Sequence, residues 1–232
     1  MMFFTNRFWL IALTLGAFLL AKWIQNRSGW VVLNPILVSC VLIIGVLILT
    51  DVDYETYQEA GSLIDFWLKP SVVALGVPLY LQLEKIRQTW LPILLSQLAG
   101  SIIGLCSVTL IAKWLGASHV IIASLAPKSV TTPIAIEVSQ VLGGIPALTA
   151  AVVIVVGIFG AIFGFRMLEV GRIKSPMALG ISMGTASHAM GTATAMEVNR
   201  DYGAYASLGL TLNGILTALL APFILDLIGV LQ

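Results

Sequence analysis

Lys128 makes the largest demand on its surroundings. It stands in Ala126-Pro127-Lys128-Ser129-Val130-Thr131-Thr132-Pro133, within the otherwise apolar segment Ser118–Leu142. An ammonium at the centre of such a segment costs about 3 kcal/mol to insert unless it is wet, paired or liganded. Pro127 stops the arm before it, and Ser129 or Thr131 can cap the arm after it. The start of that second arm offers free backbone N–H groups and the positive end of the helix dipole. Hydroxyls, amides and one ammonium converging on a helix start make an anion site. The candidates here are Lys128, Ser129, Thr131, Thr132 and Pro133. The plainer alternative is a lysine that snorkels to an interface from an ordinary loop.

A second polar stretch is Gly184-Thr185-Ala186-Ser187-His188-Ala189-Met190-Gly191-Thr192-Ala193-Thr194. Small residues of this kind also serve tight helix packing. His188 adds chemistry, since an imidazole can donate to a carboxylate or carry a proton near neutral pH. Thr185, Ser187, His188, Gly191 and Thr192 are therefore candidates for the opposite wall of the same anion site. No second histidine or acid stands at a ligand spacing on this segment, so neither a metal site nor a cofactor is expected. Asn34 and Asn213 are single amides in apolar segments, suited to interhelical hydrogen bonding or to ligand contact. Glu137 and Glu197 fall about eight residues beyond the two polar breaks, where helical rise puts them near a membrane surface.

These residues need an unusual scaffold. The chain has 232 residues, 59% apolar and 10% charged, with a net charge of +1. Ordinary soluble domains are about 25% charged. So few charges cannot cover so much apolar surface, which leaves a polytopic membrane protein. The balance of charge also speaks against a nucleic-acid partner. There is no Walker lysine pattern and no His-Glu-x-x-His, and an enzyme is not expected. Cys40 and Cys106 sit in apolar runs and read as small hydrophobes.

The apolar segments are Phe8–Ile24, Trp30–Thr50, Phe66–Leu83, Thr89–Ala112, Ser118–Leu142, Ile145–Phe165, Pro176–Asn199 and Gly203–Ile228. The stretch Asp51–Asp65, with five acids and no Lys or Arg, reads as an acidic loop. No long linker interrupts the chain, so residues 1–232 read as one integral membrane domain. The expected architecture is all-α, with about six transmembrane helices plus two broken or re-entrant helical segments, Ser118–Leu142 and Pro176–Asn199.

The Lys/Arg distribution bears on that choice, because cytoplasmic loops carry the excess. Lys22, Arg27, Lys85 and Arg87 fall inside. If Ser118–Leu142 returns to the side it came from, Arg166, Arg172 and Lys174 also fall inside. If it crosses, all three land outside. Two broken but crossing helices remain the alternative. A shift of 60 residues overlays the two segments: Thr132 on Thr192, Ala135 on Ala195, Glu137-Val138 on Glu197-Val198, and Lys128 on His188. With two hairpins the copies enter from opposite faces, forming the inverted repeat that secondary transporters often use. Gly100-x-x-x-Gly104 and Gly160-x-x-x-Gly164 serve either internal packing or a seam between subunits of a homodimer or larger homo-oligomer.

Leu125-Ala126-Pro127-Lys128-Ser129-Val130-Thr131-Thr132-Pro133-Ile134-Ala135, then Gly143-Gly144-Ile145-Pro146 and Gly184 to Ala193, resemble the two sequence blocks of the LrgB/CidB family of bacterial inner-membrane proteins. Leu33-Asn34-Pro35 and Pro70 to Leu75 resemble its N-terminal half. The resemblance covers nearly the whole chain and implies a multi-pass protein of the inner membrane. It implies two functions. One is a holin/antiholin-like control of murein hydrolase activity and autolysis, beside a small LrgA/CidA-like membrane partner. The other follows a similarity to the plastidial glycolate/glycerate translocator and implies carriage of short carboxylates. The expectation from the residues themselves is secondary transport of a small organic anion by alternating access, with the holin-like role as the alternative.

Overall fold

A computed structural model describes residues 4–30, 33, 35–67, 70, 80 and 83–230. The chain forms two compact units, Met1–Val73 and Ala74–Gln232. Among the described residues every regular element is a helix. That bears out the all-helical reading.

In the first unit, α1 (Arg7–Ser28) starts where the Asn6 side chain accepts from the Phe8 amide, and it stops at Gly29, whose φ of 66° favours glycine. Arg27 lies over the Trp23 ring at 5.7 Å, in keeping with an aromatic–basic interfacial end. α2 (Pro35–Thr50) is a shorter apolar helix of 16 residues. The expected acidic loop is for the most part a helix, α3 (Tyr54–Asp65). The Asp53 carboxylate accepts from the Thr56 amide at 2.6 Å and caps it, and that bond holds the Asp53 carboxyl below its ordinary range. Glu59 on α3 pairs with Arg7, Tyr57 bonds Thr14 at 2.9 Å, and Ala60 packs with Leu10 and Val52. Acidity concealed this helix because Ala60 is its one fully buried residue among those described, with Tyr57 half-buried beside it. The segment Phe66–Leu83 and Asn34 lie almost wholly outside the described residues.

The described helices of the second unit include α4 (Leu83–Gln88) and α5 (Trp90–Trp114). Next come two short helices, α6 (His119–Leu125) and α7 (Thr132–Val141), then α8 (Pro146–Val170), α9 (Pro176–Val198) and α10 (Arg200–Leu227). Helices α1, α5, α8 and α10 are long and apolar enough to cross a membrane. At 1.5 Å per residue, 25 residues reach about 37 Å, more than a ~30 Å hydrocarbon layer.

The two broken segments fold back on themselves. In the first, a methyl placed on Gly143 would sit 3.5 Å from His119 Cε1, so the segment's end lies beside its beginning. Thr149 Oγ1, just into α8, lies 2.7 Å from Ser139 Oγ and 2.9 Å from the Ser124 carbonyl, and the Ile145 amide donates to Ser124 Oγ at 2.7 Å. These bonds clasp α6, α7 and the start of α8 together. In the second, helical geometry fails at Ser187 (φ −129°, ψ 17°) and His188 (φ 44°, ψ −135°). There the chain reverses. A methyl on Gly191 would overlap the Met183 carbonyl and lie 2.7 Å from Ser187 Cβ, and Met183 shares a buried cluster with Ala195. The first hairpin leads into the N-terminal end of α8 and the second leaves its C-terminal end, so the two arrive from opposite ends of one spanning helix.

Candidate functional site

The two tips meet the middle of the long helices. Val130, behind the first tip, packs with Val153 of α8, while His188 of the second tip is hydrogen-bonded to the Val153 carbonyl at 2.8 Å. Asn213 is central in α10. Its amide nitrogen donates to the Ser129 carbonyl and to the Thr185 carbonyl, both at 3.0 Å, and so touches both hairpins. Its oxygen accepts from Ser101 Oγ of α5 at 2.7 Å. A buried amide that satisfies its donors and acceptor in this way is compatible with an apolar interior.

Beside this junction lies a cavity of about 340 Å³, lined among others by Gln97, Ser101, Lys128, Ser129, Thr185 and Asn213. Lys128 Nζ donates to Ser129 Oγ at 3.0 Å, which leaves the Ser129 proton for another acceptor. The described lining residues include this one ammonium and no carboxylate. Gln97 is fully buried and donates from Nε2 to Thr185 Oγ1 at 2.7 Å. Thr185 in turn donates to the Ile181 carbonyl at 2.7 Å, which fixes the glutamine's orientation and leaves its Oε1 without a partner. The chemistry on offer is a cation, several hydroxyls and two amides set among apolar side chains such as Ile103, Leu105 and Ile181.

A family model described as the LrgB-like family matches residues 14–227. The chain belongs to the LrgB-like family. A Haemophilus influenzae protein is 39% identical over 93% of this chain and 94% of its own length. Proteins named holin-like protein CidB are similar at 36% in Staphylococcus epidermidis and 37% in Staphylococcus aureus, again over 93% of this chain and 94% of theirs. No solved structure matches. Together with the four apolar helices, this membership makes the chain a membrane protein of the LrgB family.

Within this LrgB-family protein, Lys128, Ser129, Thr185 and Asn213 share the cavity wall. The other expected residues stand elsewhere. Thr131, Thr132 and Pro133 begin α7 and are not among the described lining residues; Thr131 occupies the cap position, yet its buried hydroxyl makes no capping bond. Ser187 and His188 turn toward α8: a methyl on Gly160 would overlap Ser187 Oγ, and one on Gly157 would approach His188 Cε1 to 2.6 Å. Gly191 and Thr192 pack inside the second hairpin, with Thr192 Oγ1 donating to the His188 carbonyl at 2.9 Å. Gly160 and Gly164 therefore serve internal packing, against Ser187 and Met183. Glu137 and Glu197 are exposed.

Sequence reading passed over Gln97 and Ser101. Their signal is a four-residue period on α5, where Ile93, Gln97, Ser101, Leu105 and Thr109 are all buried. It also passed over Gly180-Ile181-Ser182-Met183-Gly184, which has the spacing of a hydrolase nucleophile elbow. That motif needs a strand-to-helix turn. Here it lies in one arm of α9, and its two glycines let the Tyr202 and Ala206 carbonyls of α10 approach.

Proposed function

We propose that this LrgB-family protein carries small organic anions, short carboxylates of the glycolate and glycerate kind, across the bacterial inner membrane by alternating access. The observation that carries the proposal is the cavity at the hairpin junction, which holds the Lys128 ammonium and the Ser129 hydroxyl with no acid among its described lining. A cation left in an apolar protein is stabilised by an anion that comes and goes. Two hairpins from opposite ends of α8 also fit the inverted plan in which a midplane site faces each side in turn. Lys128 and Ser129 bind the carboxylate, Thr185 and Asn213 shape the opposite wall, and Ser187, His188, Gly191 and Thr192 hold the second tip in place. Thr131, Thr132 and Pro133 set the start of α7 behind the first tip.

The test is uptake of labelled short carboxylates by purified protein in liposomes. Saturable uptake that Lys128→Ala abolishes, while the variant remains folded and inserted, supports the proposal. Equal uptake by that variant refutes it.

The names of the CidB relatives favour a second reading, a holin-like regulator of murein hydrolase activity that acts with a small LrgA/CidA-like membrane partner or as a homo-oligomer. Dye release that grows with oligomer size and shows no saturation would mark that role.

A further inference from the structure

We propose that Asn213 is a positioning residue whose side-chain amide ties the two hairpin tips together and so seals the path between the two sides of the membrane, keeping the protein a carrier and not an open pore. This rests on the anion-carrier reading.

The arms of the first hairpin, α6 and α7, have 7 and 10 residues and reach only about 10 and 15 Å along their axes. That is a third to a half of a ~30 Å hydrocarbon layer. Hairpins of this size from opposite faces close the membrane only where their tips touch. Asn213 sits at that place, midway along the 28 residues of α10, and Ser101 stands midway along α5.

The amide orientation is fixed by chemistry. Both partners of Nδ2 are backbone carbonyls, at 3.0 Å each, and carbonyls only accept. One carbonyl belongs to Ser129 in the non-helical link of the first hairpin. The other belongs to Thr185 in the last turn before the second break. Both positions lack a continuing helix to take up their C=O groups, so a side chain must do so. On the oxygen side, Ser101 Oγ at 2.7 Å and Thr217 Oγ1 at 3.5 Å anchor the amide to α5 and α10. The tie thus joins one atom of each tip to two spanning helices, so the tips cannot part from each other without breaking one of its bonds.

The experiment uses full-length protein in liposomes loaded with an anionic dye too large for the cavity. With Asn213 in place, the liposomes retain the dye. Asn213→Leu should raise dye leakage at least about tenfold. Should Asn213→Leu fail to insert, Ser101→Ala removes the 2.7 Å anchor alone and should raise leakage about threefold. Tight liposomes with the variant that inserts overturn the tie and leave the carrier reading standing. Leakage already present with Asn213 intact overturns both.

Discussion

The two hairpins share a trace and differ in chemistry. In the first, a link of six residues separates α6 from α7, and it presents Lys128 and Ser129 to a cavity. In the second, two residues suffice, and His188 is 4% exposed with its ring held by the Val153 carbonyl. His188 also takes a positive φ of 44°, a conformation costly for any residue but glycine. The overlay of Lys128 on His188 is therefore topological and does not make them equivalent. One tip faces a cavity. The other is built to wedge against α8, where Gly157 and Gly160 leave room for it.

Substitutions can break that contrast, and the largest effect belongs to the packed tip. Gly184→Val should abolish folding, because its side chain would run into the Ala206 backbone carbonyl, which cannot swing away as a side chain can. Overpacking of this kind costs about 3 kcal/mol or more, and the readout is loss of monodisperse protein on detergent extraction. Next comes Lys128→Ala. Losing a charge-assisted contact of about 2–3 kcal/mol should cut carboxylate uptake about a hundredfold with normal insertion. Thr149→Val removes the hydroxyl that clasps the first hairpin at Ser124 and Ser139, and should lower stability by about 1–2 kcal/mol, read as an earlier thermal transition. The smallest effect should come from His188→Gly. It loses the bond to Val153 but also relieves the positive φ, so uptake should change less than about threefold. A His188→Gly loss as large as that of Lys128→Ala would make the two tips chemical equals and refute the contrast.

Much of this architecture is legible in the sequence, and the reasons are specific. Pro127 with the hydroxyl-rich run after it is a strong local stop for a helix, so the first break is legible within its own segment. The 60-residue offset identifies the second break by analogy, since Ser187-His188 contains no proline. The helix α3 escaped because charge outweighs its short inward face, although Asp53 followed by Glu55 is a capping signal. Gln97 escaped because one amide within the 25 residues of α5 looks incidental until its period with Ser101 is drawn on a helix.

Composition alone determined that this chain lives in a membrane as helices, because 59% apolar residues with 10% charged ones leave no soluble alternative. Local chemistry also determined the break around Lys128, and the 60-residue offset pointed to a second one around Ser187-His188. Only the tertiary structure decided which way the broken ends point. Whether a side chain at a break meets a cavity or a neighbouring helix depends on what stands opposite it. For Lys128 that is a cavity where hydroxyls and amides stand among apolar side chains, and for His188 it is a backbone carbonyl and two glycines. No spacing within either segment encodes those partners, which lie more than 25 residues away along the chain on α5, α8, α9 and α10.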